Sequence, residues 1–371
     1  MQIDNLIVDG VRSLKPYLPG KPISELEREL GISQIIKLAS NENPLGPSPR
    51  ALKAARESLE EIHLYPDGGG FELRAALADH YGLSMEQITL GNGSNDVLEL
   101  IARAFLSHGT EAVYSEHAFA VYPIVTQATG AKGVVVPAHN GSRGPKTSHD
   151  LDGFLKAITP ATRVVFIANP NNPTGTYLNS RTLEQFLCQV PAHVMVVIDE
   201  AYVEYVDKPD YQQALPWLVD YPNLIVTRTF SKAFGLAGLR VGFAASSSTI
   251  QDVLNRVRQP FNVNLPALAA ACAALKDHEH IQKTVALNAA GMAYYEAAFK
   301  GRQLEYISSV GNFITLNLGR PAGPVYEALL KQGIIVRPIA NYGLPQHLRI
   351  TIGTAEQNAK FLTALDRILY L

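Results

Sequence analysis

The feature that most constrains this chain is an alternation. Short apolar runs at 134–137, 164–169, 194–199, 224–229 and 241–245 are separated by stretches with helical spacing. Runs of this length, rich in Val and Ile, predict strands buried on both faces. Between them, 182–189 has helical spacing, and in 97–105 the residues Val97, Leu100, Ile101, Ala104 and Phe105 share one helical face. Strands that alternate with helices form βαβ units, which predicts an α/β fold around a mostly parallel sheet. Such sheets collect their ligands at the carboxyl ends of strands. Three polar motifs stand at those ends: Asn169-Pro170-Asn171-Asn172-Pro173-Thr174-Gly175, Asp199-Glu200-Ala201-Tyr202 and Thr229-Phe230-Ser231-Lys232.

After Pro266 the texture changes. Ala-rich helical runs at 265–275 and 281–299 precede two strand-like pieces at 312–317 and 348–352. This predicts a large domain over 46–264, with 1–45 as an N-terminal arm joined to a small α+β domain over 265–371. The Gly/Pro-rich stretch 41–49 is the expected linker into the large domain. A net charge of −2, with Lys and Arg spread along the chain, offers no basic face for nucleic acid. No run of about 18 apolar residues predicts a membrane span. Asp4 and Asp9 interrupt the start, which does not resemble a secretory signal, so a cytoplasmic location is expected. Cys188 and Cys272 are expected to be buried thiols in a reducing compartment.

Lys232 follows a buried strand and is flanked by hydroxyls, with Arg240 eight positions on. A desolvated lysine is a usable nucleophile toward an aldehyde cofactor. Thr229, Ser231 and Arg240 are candidates to bind a phosphate by charge-assisted hydrogen bonds. The alternative is a surface turn with an incidental lysine. Asp199 ends an all-apolar strand, where its charge is costly unless paired. A pyridinium nitrogen would pair it, Tyr202 would donate to the ring's phenolic oxygen, and Asn172 on its rigid turn would direct an amide there. The alternatives are an aspartate that caps the next turn and a bare Asn/Pro/Gly turn.

Gly93, Ser94 and Asn95 open an amphipathic helix whose N-terminus is an anion site. Asp96 occupies the third glycine position of a dinucleotide fingerprint and would repel a pyrophosphate, so a single phosphate fits better. No His/Asp/Glu cluster has metal spacing, and no metal is expected; His278 and His280 are expected at the surface.

Together and in this order, the motifs resemble the fold-type I aminotransferases, and within them the subgroup that acts on histidinol phosphate. The resemblance rests on Asn41-Glu42-Asn43-Pro44, Tyr65-Pro66, Gly93-Ser94-Asn95, Asn172-Pro173-Thr174-Gly175, Asp199-Glu200-Ala201-Tyr202, Ser231-Lys232 with Arg240, and Arg349-Ile350-Thr351-Ile352-Gly353-Thr354. Lys15-Pro16-Tyr17 and the stretch from Arg337 to Gly343 suggest the subgroup. The resemblance implies the aspartate aminotransferase fold, with a seven-stranded-type sheet. It implies pyridoxal 5′-phosphate as cofactor, a small-molecule amino donor and keto acceptor, and a homodimer with shared sites. Lys232 would hold the cofactor, Asp199 its ring nitrogen, Asn172 and Tyr202 its phenolic oxygen. Gly93, Ser94, Asn95, Thr229, Ser231 and Arg240 would hold its phosphate, with Tyr65 from the neighbouring subunit, and Phe119 would stack on the ring. Tyr17, Asn43, Arg337 and Arg349 would bind substrate. An aromatic amino-acid aminotransferase shares nearly all these motifs. A pyridoxal-phosphate decarboxylase of an amino-acid phosphate uses a similar scaffold, and regulators with such a domain need an added DNA-binding segment.

Overall fold

The computed structural model describes residues 3–17, 19–142 and 144–369. The outermost residues of the expected arm and small domain therefore lie outside the described residues, as does residue 18. A seven-stranded sheet runs in the order Ile88–Gly91, Gly242–Ser246, Leu224–Thr229, Met195–Asp199, Thr162–Ala168, Glu111–Ser115, Lys132–Val136. Gly242–Ser246 is antiparallel to both neighbours, and the other pairs are parallel. The two-residue period of a strand sends alternate side chains to opposite faces. Val164 and Phe166 enter a core under the helices Ser94–Phe105 and Val121–Ala128. Val165 and Ile167 enter a larger one under the helices Pro49–Ser58, Phe71–Tyr81 and Ser180–Leu187. Both faces being covered is why these strands are continuously apolar.

Two departures from the sequence reading have simple causes. The run at 134–137 belongs to the edge strand Lys132–Val136, and Val135 is largely exposed rather than buried. Periodicity registers an apolar run but not which strand ends the sheet. The helix Leu265–Leu275 places Ala267, Leu268, Ala270, Ala271 and Ala274 in the large-sheet core, against Pro49–Ser58 and Phe71–Tyr81. The division expected between residues 264 and 265 thus leaves that helix's apolar side with the large domain.

The long helix His278–Gly301 leads to a four-stranded antiparallel sheet ordered Arg337–Ile339, Leu344–Thr351, Phe313–Asn317, Tyr306–Ile307. Ile314, Leu316, Leu348 and Ile350 pack there against Tyr295, Phe299 and Phe361. The arm joins this unit: Ile36–Lys37 pairs in parallel with Ile334–Ile335, and Ile36 and Leu38 enter the same core. The chain then crosses to the large sheet, where Ser48 caps the helix Pro49–Ser58 by accepting from the Ala51 N–H. Gly235, at φ +70°, lies under this crossing, and a Cβ there would meet the Gly46 carbonyl at 2.2 Å.

Candidate active site

Three adjacent parallel strands, Thr162–Ala168, Met195–Asp199 and Leu224–Thr229, end beside one another, and their three motifs converge on a cavity of about 580 Å³. Asn172, Asp199, Tyr202, Thr229, Ser231 and Lys232 all line it. Ser94 and Asn95 reach it from the helix start, Phe119 from the turn before Val121–Ala128, and Arg240, Arg337, Arg349 and Tyr17 complete its lining.

Lys232 donates from Nζ to the Ser40 carbonyl at 3.0 Å. Burial lowers its pKa to about 8, and the nearby Arg349 guanidinium assists. The unprotonated, nucleophilic amine is therefore far more populated near neutral pH than in an exposed lysine. Asp199 is 4% exposed, and its Oδ2 accepts from the Tyr122 hydroxyl at 2.9 Å. Its Oδ1 is buried with no hydrogen-bond partner. Burial raises the carboxyl pKa to about 6. An orphaned carboxylate oxygen on the cavity wall fits a ring nitrogen that carries a proton.

The other end of the cavity fits an anion. No side chain caps the helix Ser94–Phe105, so its first N–H groups are left for a ligand. Gly93 precedes it at φ +85°, ψ 164°, a conformation open essentially to glycine. A Cβ on Gly93 would stand 2.4 Å from Arg240 Nη2, so the missing side chain is what lets the guanidinium in. Arg240 donates to Ser231 Oγ at 3.2 Å, and Thr229 Oγ1 accepts from the Ser231 N–H at 3.1 Å. Asp96 also lines the cavity, and its Oδ2 accepts from the Asn92 N–H and the Asn262 amide.

Arg349 is buried. It donates from Nη1 to Asn172 Oδ1 and from Nη2 to the Ala39 carbonyl, both at 2.6 Å, while its Nε has no partner. Burial lowers its pKa. Arg337 stands directly opposite Arg349 across the antiparallel pair of Arg337–Ile339 with Leu344–Thr351. Like charges in that position repel. Both line the cavity, so an anion held there would offset the repulsion. Tyr17 lies under Arg337, with the guanidinium carbon 5.6 Å from the ring centroid.

Three candidates do not line this cavity, and one of them, Gly93, stands between Asn92 and Ser94, which do. Asn43 donates to the Ala233 carbonyl and Thr284 Oγ1 and accepts from the Leu45 N–H, all outside the lining. Tyr65 is 82% exposed and stacks on Phe261 at 4.7 Å. Sequence reasoning missed Tyr122, because a tyrosine in a helix gives no sign of a carboxylate from another strand. It also missed Asn41, which lines the cavity two positions before Asn43 in the motif that drew attention. Two further expectations change: His280 is half-buried and bonds the Gly46 carbonyl, and Cys188 is exposed. Among the described residues, no cluster of His, Cys, Asp or Glu could hold a metal ion. No helix among them is long and apolar enough to cross a membrane.

A lysine, a buried aspartate and an anion cradle at the ends of three parallel strands define the class, and the chain belongs to the class I and II aminotransferases, whose family pattern it matches over residues 33–365. It is 60% identical over 369 residues, with both chains covered in full, to histidinol-phosphate aminotransferase 2 of Methylococcus capsulatus. Among solved structures it is similar to histidinol-phosphate aminotransferase of Sinorhizobium meliloti in complex with pyridoxal-5′-phosphate, with a TM-score of 0.89 and 28% identity, covering 98% of this chain and 97% of that one. A double mutant of Thermus thermophilus aspartate aminotransferase shares the fold, with a TM-score of 0.84 at 22% identity over 98% of this chain and 99% of that one.

Proposed function

We propose that this chain, with pyridoxal 5′-phosphate on Lys232, transfers an amino group from histidinol phosphate to 2-oxoglutarate, giving imidazole acetol phosphate and glutamate in histidine biosynthesis. The observation that carries the reading is the Arg337/Arg349 pair on a cavity that also holds Lys232 and Asp199. One amino partner carries a phosphate monoester and the other carboxylates, and two apposed guanidiniums accept either anion. The full-length relatives at 57–60% identity, named for histidinol phosphate, support the same choice.

Bound in this cavity, the cofactor supplies an electron sink for the charge that develops when the substrate's α carbon loses a proton. Lys232 would hold the cofactor, and its amine, when free, would carry the proton that leaves the substrate's α carbon. Asp199 Oδ1 would hold the ring nitrogen protonated, Tyr202 and Asn172 would bind the phenolic oxygen, and Phe119 would cover the ring. Gly93, Ser94, Asn95, Thr229, Ser231 and Arg240 would hold the phosphate. Arg349 would bind the anion of either substrate, and Arg337 with Tyr17 would add contacts to the phosphate of histidinol phosphate. Asn43 acts indirectly, by holding the crossing loop that carries Asn41.

The same reading makes the enzyme a cytoplasmic homodimer. Leu59, Ile62, Leu64, Phe71 and Phe261 are exposed apolar side chains, and Phe261 stacks on Tyr65, which suits contact with a second copy of the chain. From there Tyr65 would reach the phosphate in the partner's site.

Single-turnover kinetics on each half-reaction test the substrate assignment. A buried charge-assisted contact contributes roughly 1.5–3 kcal/mol, so its loss costs about 10–100-fold. Arg349→Ala is expected to slow both halves by that factor. Arg337→Ala and Tyr17→Phe are expected to slow the histidinol-phosphate half more than the glutamate half. Equal losses on both halves for Arg337→Ala would put an aromatic amino-acid substrate in place of histidinol phosphate.

A further inference from the structure

Three consecutive residues of the crossing segment each hold a different functional side chain. The Ala39 carbonyl accepts from Arg349, the Ser40 carbonyl accepts from Lys232, and Asn41 Nδ2 donates to the Tyr202 hydroxyl at 2.9 Å. The third contact differs from the others because a hydroxyl can face either way, accepting or donating.

The orientation of Asn41 is fixed from the small domain. Its backbone N–H donates to Thr351 Oγ1 at 2.9 Å, and that hydroxyl donates back to Asn41 Oδ1 at 3.2 Å. Asn312 Nδ2 donates to the Asn41 carbonyl at 2.9 Å. Asn41 has φ +56°, a left-handed conformation that Asn and Asp tolerate better than most residues, and it is 1% exposed. With Oδ1 committed to Thr351, the amide nitrogen is the end that faces Tyr202. The phenol oxygen then accepts, and its own hydrogen is left to point elsewhere.

We infer that Asn41 is a positioning residue that aims the Tyr202 hydroxyl hydrogen into the cavity, and that Thr351 of the small domain holds Asn41 in the orientation that does so. Given the function proposed above, on which this rests, the recipient is the cofactor's phenolic oxygen. The chain Thr351–Asn41–Tyr202 thereby ties the small-domain sheet to the donor strength at the reacting ring. A displacement of that sheet would weaken the donor without moving Tyr202 itself.

The test is a pH titration of the absorbance of the lysine-linked cofactor. A hydrogen bond to the phenolic oxygen favours its ionised form, so losing the bond raises the titration midpoint. A hydrogen bond to a charged oxygen corresponds to about one to two pH units. Thr351→Val, which removes the hydroxyl but keeps the shape, is expected to raise the midpoint by about that amount, and Thr351→Ser to leave it in place. Asn41→Asp, which tolerates the same backbone and turns a donor into an acceptor, is expected to raise it further. In a Tyr202→Phe background neither change should shift the midpoint again, because the effect passes through that hydroxyl. An unshifted midpoint in Thr351→Val, or a shift that survives in Tyr202→Phe, overturns the inference. The cofactor-free protein gives a second readout. The isotope-edited infrared band of the Tyr202 C–O stretch should move in Asn41→Asp as the phenol changes from acceptor to donor. A stationary band in the folded variant also overturns the inference. If the wild type takes up no pyridoxal phosphate, the proposed function falls, and the infrared band still decides the role of Asn41.

Discussion

Asp199 has one oxygen bonded to Tyr122 and the other bonded to nothing, and it lies almost wholly inside the protein. A carboxylate in that state destabilises the cofactor-free fold. Its pKa rises from 3.8 in the unfolded chain to about 6 in the folded one. Over that interval the folded state holds a proton that the unfolded state has released, so stability falls as pH rises from about 4 to about 6. At roughly 1.36 kcal/mol per unit, the loss is about 3 kcal/mol. Asp199→Asn removes the titrating group. The cofactor-free variant is expected to be more stable than wild type by up to ~3 kcal/mol above about pH 6, and equal to it near pH 4. Urea denaturation at both pH values reads the difference. A variant no more stable at pH 7 would show that an unmet amide costs as much as the unmet carboxylate. The penalty at Asp199 is the counterpart of its function, since the cationic ring nitrogen that relieves it is the one it serves.

At the scale of single elements, the glycine turn into Ser94–Phe105 does two jobs that no other residue can do together. It adopts φ +85° with ψ 164°, and it leaves the volume that Arg240 fills. Gly93→Ala is expected to strain the turn by about 1–3 kcal/mol and to push the guanidinium away from the helix terminus. The loss should fall on phosphate binding, so pyridoxal phosphate affinity should drop by about tenfold or more while that of pyridoxal, which lacks the phosphate, changes little. Equilibrium dialysis with the two compounds checks this, and a similar loss for both would mean the turn supports the ring rather than its phosphate. The same strand-end logic applies at Leu224–Thr229. Thr227 and Thr229 flank Arg228, and strand periodicity sends Arg228 to the opposite face, where its Nε and Nη2 both donate to Glu200 Oε2 in a buried ion pair. That pair anchors the turn after Asp199 from below while Asp199 itself faces the cavity.

At the scale of the whole molecule, Tyr65 tests whether one chain is a complete enzyme. It is exposed and stacked on Phe261, itself exposed, which leaves its hydroxyl without a role in a single copy. Mixing Lys232→Ala with Tyr65→Phe subunits is expected to restore activity. A heterodimer would hold one site with both an intact lysine and an intact tyrosine. No recovery, in dimers shown to exchange subunits, would make each site self-sufficient.

Much of this architecture was legible in the sequence, for a physical reason: strands covered on both faces must be apolar throughout, so 164–168 and 224–229 announced themselves. The polar motifs at their ends were equally plain, because charged and amide side chains directly after such strands are costly unless used. These local rules singled out Lys232, Asp199, Asn172 and Tyr202 as candidates, and the resemblance to the aminotransferases implied that they act as one group. Other features depend on which segments meet, and periodicity is blind to that. The exposure of Val135 follows from edge position, and the place of Leu265–Leu275 follows from which core was left uncovered. The pairing of Arg337 with Arg349 is a register between strands, and a shift of one residue would undo it. The bond from Tyr122 to Asp199 joins residues 77 apart, and Thr351 to Asn41 joins residues 310 apart. The sequence determined which chemistry the strand ends carry. Tertiary packing alone decided which buried oxygen stays unpaired, which hydroxyl is aimed and which cations face one another, because each depends on two distant segments arriving at the same place.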